Sequence, residues 1–164
     1  MKHTLWIGLV VAIAFNISCE SEPKVSEVQT IYNEAQVGID SLSNDLANVY
    51  EDFGALQARY DNLMNEARSL SSVDSVALAI LQQAGSTLSG QAGLLESIEN
   101  RLDSFDELDP ETATPETLQE SISALEAEYP DMNAKLTAVR DALTVVRTKL
   151  DGVQENLTPK STDD

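Results

Sequence analysis

Histidine, tryptophan and cysteine each occur once in this chain, at His3, Trp6 and Cys19, and aromatic residues make up only 5% of it. All three singletons sit at the N-terminal end, in and at the border of a segment that reads as a removable leader. Behind that border there is no imidazole and no second thiol. Imidazole and multi-thiolate metal sites are thereby excluded, and so are Ser-His and Cys-His nucleophiles. Paired carboxylates remain for acid/base work. The helical interiors described below are filled with Leu and Val, however, and offer no evident concave pocket. The expectation is a protein that is not an enzyme, with no catalytic residue, no cofactor and no metal ligand.

Positive charge is also scarce. Ten Lys and Arg face 28 Asp and Glu, a net charge of −18. Losing Lys2 with the leader leaves nine basic residues and a net charge of −19. Such a surface repels phosphate backbones and anionic headgroups, which argues against nucleic acid as a partner and against a basic membrane reader. Solubility in a crowded compartment is the bland reason for it.

Long apolar runs are limited to one, from Leu5 to Phe15, behind the short polar start Lys2-His3. It is too short for the ~20 residues a helix needs to cross a bilayer, and it has the proportions of a signal-peptide core. Asn16-Ile17-Ser18 then leads into Cys19, with the small Ser18 where a signal peptidase would cut. This arrangement resembles the lipobox of bacterial lipoproteins, although Asn16 stands where that family usually carries Leu. The resemblance implies that residues 1–18 are removed and that Cys19 is diacylated (palmitate-type chains) as the mature N-terminus. A stable anchor needs two chains or more, at ~0.8 kcal/mol per buried CH₂. The rival reading is an ordinary cleaved signal that happens to end near a cysteine.

Glu20 and Glu22 follow at once, and resemble the acidic stretch after the lipidated cysteine in surface-exposed lipoproteins of Bacteroidota. Asp40-Ser41-Leu42 and Asp74-Ser75-Val76 are similar to the O-glycosylation motif of the same phylum. For Ser75 the rival role is at a helix N-terminus. The resemblance implies an outer-membrane lipoprotein of the cell envelope, facing the periplasm or exposed at the surface.

Residues 19–24 read as a tether reaching roughly 17 Å for its last five residues. Three apolar-periodic segments follow. In the first, Val25, Val28, Tyr32, Ala35, Ile39, Leu42, Leu46, Val49, Phe53, Leu56, Tyr60, Leu63, Ala67 and Leu70 alternate at spacings of three and four. That is the heptad seam of a supercoiled helix, here over 25–70 with no proline inside. The second, over 74–108, carries Ala77, Leu81, Ala84, Leu88, Gln91, Leu95, Ile98, Leu102 and Phe105, widened by Leu78, Ile80 and Leu94. A wide apolar face suits a helix packed between two others. Gly85, Gly90 and Gly93 weaken it by up to ~1 kcal/mol each; they read as a locally poor helix with tight packing rather than as a site of close approach or bending. The third, over 115–157, runs from Leu118 through Leu136 and Leu143 to Leu157. Thr114 is placed to cap it and Pro115 suits its first position. Pro130 interrupts the backbone ladder, but the heptad phase is unchanged across it, so the spacing predicts a kink. A break at Glu128 is the alternative.

The short link after Ser69 predicts a hairpin, and residues 158–164 read as a polar tail. Asp103, Asp106, Glu107, Asp109 and Glu111 form the densest acidic stretch, but Phe105 and the lack of a glycine break the calcium-loop pattern. It reads as a solvated helix end. Tyr32, Tyr60, Phe53 and Tyr129 occupy seam positions and read as core.

The fold expected is all-α: an elongated, antiparallel three-helix bundle of coiled-coil type. Because the first segment outruns the second, its start from Val25 to about Tyr32 is expected to overhang and stay uncovered. The function expected is a lipid-anchored structural or interaction module that is mainly monomeric as a soluble domain. Its expected contacts are the membrane, through Cys19, and a protein partner in the envelope. The alternative is a binding subunit for a small or lipidic ligand held between the helices.

Overall fold

The computed structural model describes residues 24–70, 75–105 and 108–157. The leader, Cys19 with its flanking glutamates, Asp74, Asp106, Glu107 and the tail 158–164 lie outside the described residues. Three helices are present: α1 (Val25–Ser69), α2 (Ser75–Leu102) and α3 (Pro115–Leu157). They pack against one another as an all-α three-helix bundle, with no strand among the described residues.

Consecutive helices are antiparallel, so α1 and α3 run parallel. The register is visible in cross-helix bonds. Asp45 pairs with Arg140 at 2.8 Å, Asp52 with Arg147 at 3.2 Å, and Arg59 donates to the Gln154 amide oxygen at 2.6 Å. Both series step by seven, one heptad, so a single register holds over this length. Against α2 the order reverses, since Tyr50 donates to Glu99 while Tyr60, farther along α1, lies over Gly85.

The seams form the core. Leu42, Leu46, Val49, Leu56, Leu63 and Ala67 of α1 meet Ala77, Leu81, Ala84, Leu88, Leu95 and Ile98 of α2 and the α3 series from Met132 to Leu157. Leu78, Ile80 and Leu94 are half-buried at its margin, as a helix between two neighbours requires. No polar or charged residue is buried among the described residues.

The two start signals of α3 act as read, the helix opening at Pro115 behind its cap. Thr114 Oγ1 accepts the Thr117 N–H at 3.3 Å, capping α3. Helix α3 also continues unbroken through Pro130. Glu126 and Pro130 are both exposed, so the carbonyl that loses its donor lies where water can reach it.

Three expectations are corrected. α2 stops at Leu102, short of Leu108, although the apolar spacing persists beyond the helix: Phe105 still packs against the main core, under the Arg101 guanidinium at 5.6 Å from ring centroid to cation, and Leu108 packs in a second, smaller cluster. The start of α1 does not overhang bare. Val28 and Tyr32 are 4% and 1% exposed, covered by Leu118, Ile122, Leu108 and Ala113; of the three seam residues there only Val25 stays open, with Ile31 exposed beside the seam. Finally, Gly85 is a point of close approach. A Cβ there would lie 2.6 Å from the Tyr60 phenol oxygen, whereas Gly90 and Gly93 face open space.

Candidate functional site

Two ends and one face distinguish the bundle. At the end where α1 begins, Cys19, the predicted lipidation site, stands five residues before Lys24 in the sequence. No described helix is long and apolar enough to cross a membrane.

The segment joining α2 to α3 lies at the same end. Asp109 spends its carboxylate on its own turn: Oδ1 accepts the Glu111 N–H at 2.9 Å and Oδ2 the Thr112 hydroxyl at 3.1 Å. Of the acidic stretch predicted to be solvated, Asp103, Asp109 and Glu111 are exposed. Among the described residues no three His, Cys, Asp or Glu converge as metal ligands would. Two α1 side chains hold the segment's backbone. The Tyr32 hydroxyl accepts the Leu108 N–H at 2.8 Å, and Gln29 Nε2 donates to the Pro110 carbonyl at 2.6 Å.

A groove of about 180 Å³ opens between the middle of α1 and the end of α2, lined by Leu46, Tyr50, Glu99, Leu102 and Asp103 among others. The Tyr50 hydroxyl donates to Glu99 Oε2 at 2.7 Å. Its partial burial, that hydrogen bond and the negative charge of Glu99 and Glu96 push the phenol up to about 12. Pockets for drug-sized ligands run to roughly 300–1,000 Å³, so the groove has the dimensions of a shallow surface cleft.

The predicted aromatic core residues divide. Tyr32 is fully buried, while Phe53, Tyr60 and Tyr129 are half-buried against the main core. Gln91 holds a seam position, with its amide oxygen shut from solvent and lacking a bond partner. Ser41 and Ser75, the two candidate glycosylation positions, are both exposed.

The face missed in the sequence is that of α2. From Ser75 to Leu95 no residue carries a charge, over roughly 30 Å of helix at 1.5 Å per residue. Its outward positions, Val76, Ala79, Gln83, Ser86, Gly90 and Gly93, are all exposed. On a chain of net charge −18 this leaves the acid on α1, α3, the last two turns of α2 (Glu96 and Glu99) and the segment between α2 and α3. A running charge count along the chain would have found it, where hydrophobic periodicity does not look. The chain matches no protein-family profile, no curated protein and no solved structure.

Proposed function

We propose that the protein is a lipid-anchored module of the bacterial cell envelope that works by presenting a rigid helical surface to a protein partner. The support is the filled interior. Aliphatic side chains occupy most of the seams of all three helices, with no buried polar residue among the described residues, which leaves the outer surface as the part available for recognition. That surface is patterned, with acidic flanks on α1 and α3 and an uncharged outer face on α2. The anchor is Cys19, at the outer membrane, and the role is structural or interactive with no catalysis. A ligand held between the helices is the weaker reading, because the space between them is taken by Leu, Val and Ala.

The test separates face from anchor. Photo-crosslinkers at Gln83 and Ser86 on α2, and at Asp141 on α3, are installed in cells and the adducts identified. A discrete protein adduct from one face supports the proposal; lipid or small-molecule adducts alone refute it. For the anchor, a clickable palmitate should label the wild type and leave Cys19→Ser unlabelled. Equal labelling of both would remove Cys19 from the proposal.

A further inference from the structure

The bundle contains two hydrophobic clusters rather than one. The larger includes most of the buried side chains of all three helices. The smaller lies where α1 and α3 begin and comprises Val28, Tyr32, Leu118 and Ile122, with Leu108 and Ala113 packed against it. α2 contributes nothing to the smaller cluster, having ended at Leu102. Its place as third wall is taken by irregular chain from Leu108 to Ala113. Irregular backbone has no ladder of its own and must find partners for its polar groups. Leu108 N–H and Pro110 C=O find them only on α1 side chains, at the Tyr32 hydroxyl and at Gln29 Nε2. The same segment runs straight into Thr114, the cap of α3. One short stretch therefore binds the first turns of both long helices.

The geometry points to a latch: the first turns of α1, the Leu108–Ala113 segment and the first turns of α3 open and close together while the main core stays shut. Four buried side chains and two hydrogen bonds from side chain to backbone hold this end, against a cluster several times larger beyond it. Regions with few buried apolar contacts open at a lower free energy than the whole molecule. The Tyr32 hydroxyl is the catch, since its ring is seated in the cluster and its oxygen holds the segment's backbone. Opening uncovers the paired face of Val28, Tyr32, Leu118 and Ile122 without unfolding the rest.

Simple fraying of two helix ends is the competing account, and hydrogen exchange read by mass spectrometry separates them. The full-length chain in detergent micelles is compared with Tyr32→Phe, which keeps the ring and removes the acceptor, and with Gln29→Ala. A lost hydrogen bond of ordinary strength corresponds to about a tenfold change in the open population. Each variant should speed exchange about tenfold in peptides from 27–36, 108–113 and 117–125 together, and leave those from 46–63 and 136–153 at the wild-type rate. The α3 peptide decides, because neither altered group bonds to α3. If 117–125 keeps its wild-type rate while α1 accelerates, the ends fray separately and there is no latch. Acceleration spreading to 46–63 would mean one cooperative unit, and unchanged exchange everywhere would mean that these bonds hold nothing; either overturns the proposal.

Discussion

At the scale of single residues, Gly85 and Tyr60 make one decision together. The ring lies across α2 at the only helical glycine of that helix where a Cβ would collide, 2.6 Å from the phenol oxygen. Gly90 and Gly93 have nothing within 4 Å of the same atom. Replacing either by Ala should therefore recover close to the full helix-propensity gain of about 0.5–1 kcal/mol. Gly85→Ala receives the same gain but displaces Tyr60 from a packed position, and overpacking costs about 1–3 kcal/mol. Urea unfolding should place Gly85→Ala below Gly90→Ala in stability, and the gap should close when Tyr60 is replaced by Leu. Tyr50 gives a second residue-level expectation. Its phenol ionises at about 12 in the folded state against about 10 when unfolded. The stability it contributes is thus complete below pH 10 and is lost as pH rises toward 12. An absorbance titration should show a late-ionising phenol that is absent in Tyr50→Phe. Residue roles were only half legible in the sequence. Seam spacing put Tyr32 in the core, but it carries no information about a backbone partner 76 residues away. Spacing tells which face is buried, not which loop returns to it.

At the scale of elements, the rungs between α1 and α3 set alignment more than stability. Exposed ion pairs contribute about 0.2–1 kcal/mol each, small beside the aliphatic seam. Their spacing is what counts, because a slip by one heptad would break the set: Asp45 would face Arg147, but Asp52 would face Gln154. Replacing Asp45 and Asp52 by Arg should lower stability by about 1–3 kcal/mol through lost attraction and new repulsion. Adding Arg140→Asp and Arg147→Asp should return most of it. Thermal melts at low and high salt check this, since screening should shrink the penalty of the half-swapped variant. Helix existence was plain from the sequence, because long seams of three-four spacing have no other reading. The continuity of α3 through Pro130 was legible too, from phase alone. The end of α2 was not. Leu102, Phe105 and Leu108 keep helical spacing, yet the last two serve a cation–π contact and the small cluster instead. An apolar residue looks the same in sequence whether a helix or a loop delivers it.

For the whole molecule, the three seams are satisfied within one chain. The large exposed hydrophobics, Val25, Ile31, Val37, Leu70, Val76 and Val145, are scattered along the surface rather than aligned as a further seam. Self-association through the outer faces of α1 or α3 would also bring together surfaces of the same charge. The chain without the proposed lipid should be monomeric and elongated by light scattering; a stable trimer at micromolar concentration would show that the seams also serve other chains. The covered start of α1 bears on this as well. Helix lengths alone suggested an exposed overhang, because they leave out the irregular chain that folds back over Val28 and Tyr32. Partner, compartment and anchor were not legible in the same way. The proposals for them rest on residues 1–24 and on surface pattern, which a hydrophobic period does not encode.

Three is an odd number of passes, and parity has a geometric result. A hairpin of two or four helices returns its chain to the pole it left. Here α3 runs parallel to α1 at a constant offset of 95 residues, so Leu157 lies level with residue 62, about 56 Å along the axis from Val25 at 1.5 Å per residue. Entry and exit are thus at opposite poles. Whatever is joined before Val25 and whatever is joined after Leu157 are held apart by most of the rod, as by the two ends of a spacer.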